Sequence, residues 1–168
     1  MISQTVEYAL RAVVTIAQHD GQPCTAREIA QITKVPVAYL SKLMQGLVRG
    51  EIVRSRRGLH GGFVLTGSPE DLTILDVVQV VDPIKRIEHC PLAIESHGTT
   101  LCPLHRRLDK AIASTEEILG ETTIAEMLSQ PGSVTPLCEE VKVVSLGIGG
   151  DSKKPKATQP SRKKAKKK

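Results

Sequence analysis

Residues 25–65 read TAREIAQITKVPVAYLSKLMQGLVRGEIVRSRRGLHGGFVL, and this stretch predicts two helices joined by a tight turn and followed by a β-hairpin. Thr25 and Glu28 have the spacing of a capping box, so the first helix should begin directly after Thr25. Pro36 suits the first turn of the second helix, because the N–H that proline lacks would have no partner there.

The second helix should run over residues 36–49, and Gly50 should then adopt the positive φ of a C-terminal cap. Its buried face is predicted from apolar residues at helical spacing, namely Leu40, Leu43, Met44, Leu47 and Val48. The opposite face carries small and polar side chains that can bond phosphates or base edges in a major groove. The candidate contacts on this face are Tyr39, Ser41, Lys42 and Gln45.

The hairpin should pair residues 51–54 with residues 63–65 around a glycine-rich, basic tip. Its candidate contacts with the DNA backbone or the minor groove are Arg56, Arg57 and His60. Helix, turn, helix and basic hairpin in this order are typical of a winged helix-turn-helix domain. Residues 25–65 hold seven Lys or Arg and two acids, which favours DNA binding over a merely solvated helical hairpin.

Composition excludes several other classes of protein. Of the 168 residues, 40% are hydrophobic and only 2% aromatic, so the core should be aliphatic. No apolar run is long enough for a membrane span and no secretory signal opens the chain, so a cytoplasmic protein is expected. The net charge is +5, but residues 151–168 alone contribute +8, which leaves −3 on residues 1–150. The four cysteines (24, 90, 102 and 138) are interpreted as reduced thiols or metal ligands.

The predicted fold class is mainly α, with a winged helix-turn-helix domain, a small β-hairpin wing and a long C-terminal helix. Residues 1–83 should form the DNA-binding domain, and residues 84–102 a cysteine- and histidine-containing sensor loop. Residues 103–130 should form a helical region, in which one helix over 103–119 carries an apolar seam at 3–4 spacing that can pack on its own domain or against a partner helix. Residues 131–168 are a basic C-terminal extension, expected to be disordered from about residue 147.

The sensor loop combines residue types that bind metals. Cys102 and His105 are three apart, so a thiolate at the start of a helix and an imidazole one turn later can face one metal centre. Cys90 precedes them in the same loop. Three interpretations remain open: an iron–sulfur cluster, a single metal such as zinc, and a metal-free pair of inert or redox-sensing thiols.

Three sequences together resemble the IscR/NsrR-type family of bacterial winged-helix regulators. They are VEYALR at residues 6–11, VPVAYLSKLMQGL at 35–47 and VRSRRGLHGGF at 53–63. The similarity extends over about residues 1–120. It implies a homodimeric transcription regulator that binds double-stranded DNA and dimerises through the long helix. It also implies an iron–sulfur cluster that senses redox state, iron or nitric oxide.

The family places three cysteines in this loop, and in some members a histidine follows. Cys90, Cys102 and His105 match the first cysteine, the last cysteine and the histidine, and would be metal ligands of a two-iron cluster. The middle cysteine is replaced by Ser96. A fourth ligand would then come from one of four residues, namely His97, His89, Ser96, or Glu7 of the partner chain.

Two other functional classes are disfavoured. A small metalloenzyme would need a general base and a substrate pocket. The sequence indicates neither beside the Cys/His loop, so the protein is predicted not to be an enzyme. A protein-interaction module does not explain the adjacent Arg56 and Arg57 at a glycine-rich tip.

Overall fold

The computed structural model describes residues 2–90 and 100–129, and within them the chain is mainly helical with one small sheet. The elements in chain order are α1 (Gln4–Ala17), α2 (Ala26–Thr33), α3 (Val37–Arg49), β1 (Val53–Arg56), β2 (Gly62–Leu65), α4 (Ile74–Val81), α5 (Pro103–Glu121) and α6 (Ile124–Ser129). The predicted fold class is confirmed. Ser96, His97, Cys138 and the C-terminal extension lie outside the described residues.

The core is built around α1, which packs against α2, α3, α4, α6 and β2. Its fully buried side chains are aliphatic, as the composition predicts, and include Ile16, Ile29, Leu40, Met44, Leu47, Val77 and Ile124. The predicted buried face of α3 is confirmed at Leu40, Leu43, Met44 and Leu47. One core therefore holds both helices of the helix-turn-helix unit and the helix that follows the wing.

The capping box of α2 forms as predicted. The Glu28 N–H donates to Thr25 Oγ1 at 3.2 Å, and the Thr25 N–H donates to Glu28 Oε2 at 2.7 Å. The bond from the Thr25 N–H lowers the pKa of Glu28, because it stabilises the ionised carboxylate, and the Thr25 side chain adds to this effect. A second box starts α4, where Thr73 and Asp76 exchange the same pair of bonds.

The turn between α2 and α3 is tight because Lys34 adopts the left-handed conformation, with φ 60°. Val35, directly after it, is buried, so the turn is attached to the core. Pro36 is the N-cap of α3 rather than its first helical residue, since its ψ of 131° is extended. The helix therefore starts one residue later than predicted.

The predicted positive φ at Gly50 is wrong. Gly50 has φ −85°, and the left-handed residue is Glu51, with φ 59°. A glycine is needed at position 50 for space, because a Cβ there would lie 2.4 Å from Cγ1 and 2.6 Å from Cγ2 of Val80. The end of α3 thus lies directly against α4.

The hairpin begins two residues later than predicted, at Val53. Glu51 and Ile52 complete the turn out of α3, with the Ile52 N–H donating to the Leu47 carbonyl at 3.0 Å. β1 and β2 then pair antiparallel, from Val53 with Leu65 to Arg56 with Gly62.

The hairpin is also attached to the segment that precedes α2. Cys24 and Phe63 exchange two backbone hydrogen bonds of 3.0 and 2.8 Å. Gly62 has to be a glycine here, because a Cβ would approach the Cys24 carbonyl oxygen to 2.7 Å. The wing is therefore held against the helix-turn-helix unit by backbone contacts.

The chain returns to the core after α5. The Ile74 N–H donates to the Thr122 carbonyl at 3.0 Å, and the Ile124 N–H donates to the Leu72 carbonyl at 2.8 Å. Ile124 is completely buried, whereas no residue of α5 itself is. Among the described helices, none has the length and apolar character needed to cross a membrane.

Candidate nucleic-acid interface and sensor segment

The outer face of α3 brings most of the predicted DNA contacts together. Ser41, Lys42 and Gln45 are all exposed, and Arg49 continues the same face one turn further on. The Ser41 hydroxyl donates to the Val37 carbonyl at 2.9 Å, which leaves its oxygen lone pairs directed toward solvent for further bonding. This face offers donors and a cation along about two helical turns.

Tyr39 is held by α1, which the sequence did not predict. Its hydroxyl lies 2.6 Å from Thr5 Oγ1, and its ring meets the Tyr8 ring edge-on, with centroids 5.6 Å apart. Edge-to-face pairs of this kind contribute roughly 0.5–1.5 kcal/mol beyond the area they bury. No spacing rule links positions 5 and 39, so only the fold reveals that Thr5 and Tyr8 orient this predicted contact residue.

Arg11 connects α1 to the turn of the helix-turn-helix unit. It pairs with Glu7 on its own helix, donates to the Thr33 carbonyl at 3.1 Å, and lies 5.9 Å from the centre of the Tyr8 ring. Glu7 and Arg11, one turn apart on α1, therefore form an ion pair. Glu7, a candidate metal ligand for a partner chain, here binds the guanidinium of its own helix.

The wing presents its predicted contacts at an exposed tip. Arg56, Arg57 and His60 are all exposed. The Gly61 N–H donates to the Gly58 carbonyl at 3.0 Å and closes a four-residue turn. Gly58 has φ +112°, a conformation that residues other than glycine rarely adopt. The tip of the wing is thus a defined turn with cations beside it.

Cys102 and His105 meet at the start of α5. Cys102 is the N-cap residue, Pro103 is the first residue of the helix, and Cys102 Sγ lies 3.3 Å from His105 Nδ1. The predicted spacing therefore places a thiol and an imidazole next to each other. Both side chains are half-buried, which suits donors that must remain open to a metal.

The segment that carries Cys90 is attached to α5 by an arginine. Arg86 binds Asp109 through two bonds, Nε to Oδ1 at 2.7 Å and Nη2 to Oδ2 at 2.5 Å, and the Ile87 N–H also donates to Oδ1 at 3.0 Å. The Arg86 guanidinium lowers the pKa of Asp109, and Arg86 also lies 3.7 Å from a Glu116 oxygen. Nothing in the sequence pattern relates residues 86 and 109, so this attachment was not predicted.

The three predicted metal ligands are not gathered at one point in the part of the chain that the structure describes. Within residues 2–90 and 100–129, no three His, Cys, Asp or Glu side chains lie close enough to hold a metal ion. Cys102 and His105 fit two adjacent ligands of a soft or borderline metal. Cys24 does not fit a metal site, because it is fully buried. This burial, together with the nearby Glu28 carboxylate, raises the pKa of its thiol to about 11.

Comparison with known proteins identifies the family. A family model named Rrf2 and described as an iron-dependent transcriptional regulator matches residues 2–130. The chain belongs to the Rrf2 family. The resemblance carried by the three motifs is thereby confirmed.

Two curated relatives cover most of this Rrf2-family chain. The HTH-type transcriptional regulator CymR of Bacillus subtilis is 29% identical over 130 residues, which is 76% of this chain and 89% of CymR. The HTH-type transcriptional regulator IscR of Sodalis glossinidius is 28% identical over 123 residues, 73% of this chain and 74% of IscR.

Solved structures show the same fold. The structure of CymR, the global cysteine regulator of B. subtilis, superposes with a TM-score of 0.65 at 27% identity, covering 79% of this chain and 98% of CymR. IscR of T. potens gives a TM-score of 0.63 at 26% identity, with 76% of this chain and 85% of IscR covered. This Rrf2-family protein is therefore a transcriptional regulator of the winged-helix type.

Proposed function

We propose that this Rrf2-family protein binds its operator as a homodimer and that a metal group in the 90–105 loop sets its affinity for DNA. The observation that carries DNA binding is the exposed, polar and basic outer face of α3. On this proposal α3 enters a major groove, where Tyr39, Ser41, Lys42 and Gln45 contact bases or phosphates. Arg56, Arg57 and His60 of the wing contact the DNA backbone or the minor groove.

The exposed side of α5 supports dimerisation. Leu104 and Ile118 are 64% and 63% exposed, and Leu108 is 47% exposed. Residues 104, 108, 111, 115 and 118 alternate in steps of four and three, which is the spacing of a helix pair that packs knobs into holes. A second copy of the same helix would bury this stripe. It would also hold the two winged helix-turn-helix units of the dimer, here called the reading heads, at a fixed separation.

The loop supports a sensing role through the residues attached to α5. Cys102 and His105 would hold the metal group together with Cys90 and a further ligand, and an iron–sulfur cluster there would supply a redox-active centre. Arg86 ties the Cys90 segment to the same helix through Asp109. A change at the loop would therefore act on the helix proposed to join the two protomers, and so on the geometry of the reading heads.

Two other uses of the loop remain as alternatives. The 3.3 Å contact between Cys102 Sγ and His105 Nδ1 also suits two ligands of a zinc ion. The same contact suits a metal-free thiol beside an imidazole, with Cys90 and Cys102 responding to oxidation.

The deciding experiment is purification of the full chain without oxygen, followed by visible absorption and iron, sulfide and zinc analysis. Iron and sulfide in comparable amounts, with broad visible bands that air bleaches, would support the cluster. Cys102→Ser and His105→Ala should then lose the bands, while Cys138→Ser, a cysteine outside the matched region, should keep them. A colourless protein with zinc, or with no metal, would select one of the two alternatives instead.

DNA binding is tested on the same sample by selection of duplexes from a random pool. Recovery of one sequence class with two related half-sites is expected for a dimer with two reading heads. Failure to retain any duplex over background would refute the DNA-binding part of the proposal.

A further inference from the structure

The most exposed large apolar side chain of the described residues lies at the tip of the wing. Leu59 is 96% exposed, between Gly58 and His60. A single leucine on a protein surface is ordinary and needs no explanation. Its position in the wing, however, is unusual in two respects: the backbone beneath it is constrained, and cationic side chains lie next to it.

The constraint comes from the glycines around the tip. The Gly61 N–H bonds the Gly58 carbonyl, which makes Leu59 and His60 the two central residues of the turn. A Cβ on Gly61 would lie 2.5 Å from the Arg56 carbonyl oxygen, so the returning chain packs directly on the outgoing strand. Leu59 is therefore presented at the outermost point of a preformed turn, and little further ordering is needed when it binds.

The charges beside it indicate what Leu59 meets. Arg56 and Arg57 precede the turn and are exposed, and His60 follows Leu59 directly. Guanidinium groups of this kind bind the phosphates on the two sides of a minor groove. If Arg56 and Arg57 do so, Leu59, which follows them at the exposed tip of the turn, would face the groove. Apolar side chains placed there, leucine among them, enter between base pairs, partly unstack them and bend the duplex.

We propose that Leu59 is a wedge that enters the minor groove of the operator, unstacks one base step and bends the DNA. The inference rests on the proposed DNA-binding function and adds a determinant of specificity to it. Pyrimidine–purine steps unstack at the lowest cost, so the wedge would favour such a step beneath each wing without any hydrogen bond to a base.

The test uses the full chain and a short duplex selected by the wild-type protein from a random pool, with a donor and an acceptor dye at its ends. Wild-type protein should shorten the end-to-end distance, as expected for a bend of roughly 20–90°. It should also make one thymine beneath each wing reactive to permanganate, which oxidises unstacked thymines.

Three variants separate a wedge from a charge contact. Leu59→Ala should lose most of the bend and the permanganate signal, with affinity reduced roughly threefold to tenfold and the salt dependence unchanged, because no ion pair is removed. Leu59→Phe, which keeps a large apolar side chain, should restore the bend. Arg57→Ala should keep the bend and lower the slope of log affinity against log salt by about 0.9 for each phosphate that is no longer neutralised.

Equal bending, reactivity and affinity for wild type and Leu59→Ala would overturn the wedge while leaving the DNA-binding regulator intact. In that case Leu59 would be free for a protein partner. A wild-type protein that binds its duplex without bending it would overturn the wedge in the same way. If the wild-type protein selects no duplex, the proposed function itself fails, and that outcome is recognised before any Leu59 variant is compared.

Discussion

Replacing Gly50 with alanine should destabilise the protein through a single contact between α3 and α4. The new methyl group would lie 2.4 Å from Val80 Cγ1, which is closer than two carbon atoms can approach, so a helix or a side chain has to move. Overpacking of this kind costs about 1–3 kcal/mol. With a urea m-value of about 2 kcal/mol/M, the midpoint of unfolding should fall by roughly 0.5–1.5 M.

Gly46 provides a matched control on the same helix. A Cβ at that position has no atom within 4 Å, and residue 46 lies inside α3. Gly46→Ala should therefore raise the free energy of unfolding by roughly 0.5–1 kcal/mol, because alanine loses less conformational entropy in a helix. The two glycine-to-alanine changes, four residues apart, are expected to have opposite signs.

A double variant distinguishes the two explanations for a glycine at position 50. If the cause is contact with Val80, then Gly50→Ala combined with Val80→Ala should recover much of the loss, with a coupling of about 0.5–3 kcal/mol. If a positive φ were the cause, the two losses would add. Urea unfolding followed by circular dichroism at one protein concentration measures wild type, Gly50→Ala, Val80→Ala and the double variant. Additive losses, or a Gly50→Ala protein as stable as wild type, would refute the steric argument.

Three further predictions concern the proposed function. Lys42→Ala should weaken binding to all duplexes and lower the salt slope by about 0.9 for each phosphate that Lys42 neutralises, whereas an unchanged slope would remove Lys42 from the interface. Asp109→Asn should lower the urea midpoint at pH 7. Because Arg86 lowers the pKa of Asp109, the stability this carboxylate contributes is present above its ordinary pKa of about 3.9 and is lost as pH falls through the lowered value. The difference in urea midpoint between Asp109→Asn and wild type should therefore shrink in acid. An equal difference at pH 2.5 and pH 7 would contradict this. Ile118→Glu should weaken the proposed dimer by about 100-fold or more, since each protomer would lose an apolar side chain whose burial in the dimer is worth about 1.5–3 kcal/mol. Light scattering should then report a monomer. Lys110→Glu, an exposed position of α5 outside the apolar stripe, should leave the mass unchanged.

The features predicted correctly from the sequence are those that depend on neighbours along the chain. The capping box of Thr25 and Glu28 forms because its partners are three residues apart, within reach whatever the rest of the fold does. The buried stripe of α3 follows from the helical repeat in the same way. The hairpin was predicted, but its start was placed two residues early. The Ile52 N–H bonds the Leu47 carbonyl at the end of the preceding helix, so the strand begins only at Val53.

In the candidate site, too, contacts between residues close in the chain were predicted and contacts between distant residues were not. The adjacency of Cys102 and His105 follows from a spacing of three on one helix, and the exposed face of α3 follows from its periodicity. The attachment of Arg86 to Asp109 and the bond from Tyr39 to Thr5 join residues 23 and 34 apart. No local pattern specifies such pairs, because they depend on how the helices pack.

The amino-acid sequence by itself determined that two helices and a hairpin follow one another in residues 25–65, where α2 and α5 begin, that α3 and α5 have apolar faces, and which residue types lie on the outer face of α3 and at the wing. Only the tertiary structure decided that Gly50 is a glycine because α4 lies against it, that α1 orients Tyr39, and that α5 leaves its apolar stripe exposed. The physical reason is range: propensity, capping and periodicity act within a few residues, whereas close approach and burial depend on segments that meet only after the chain has folded.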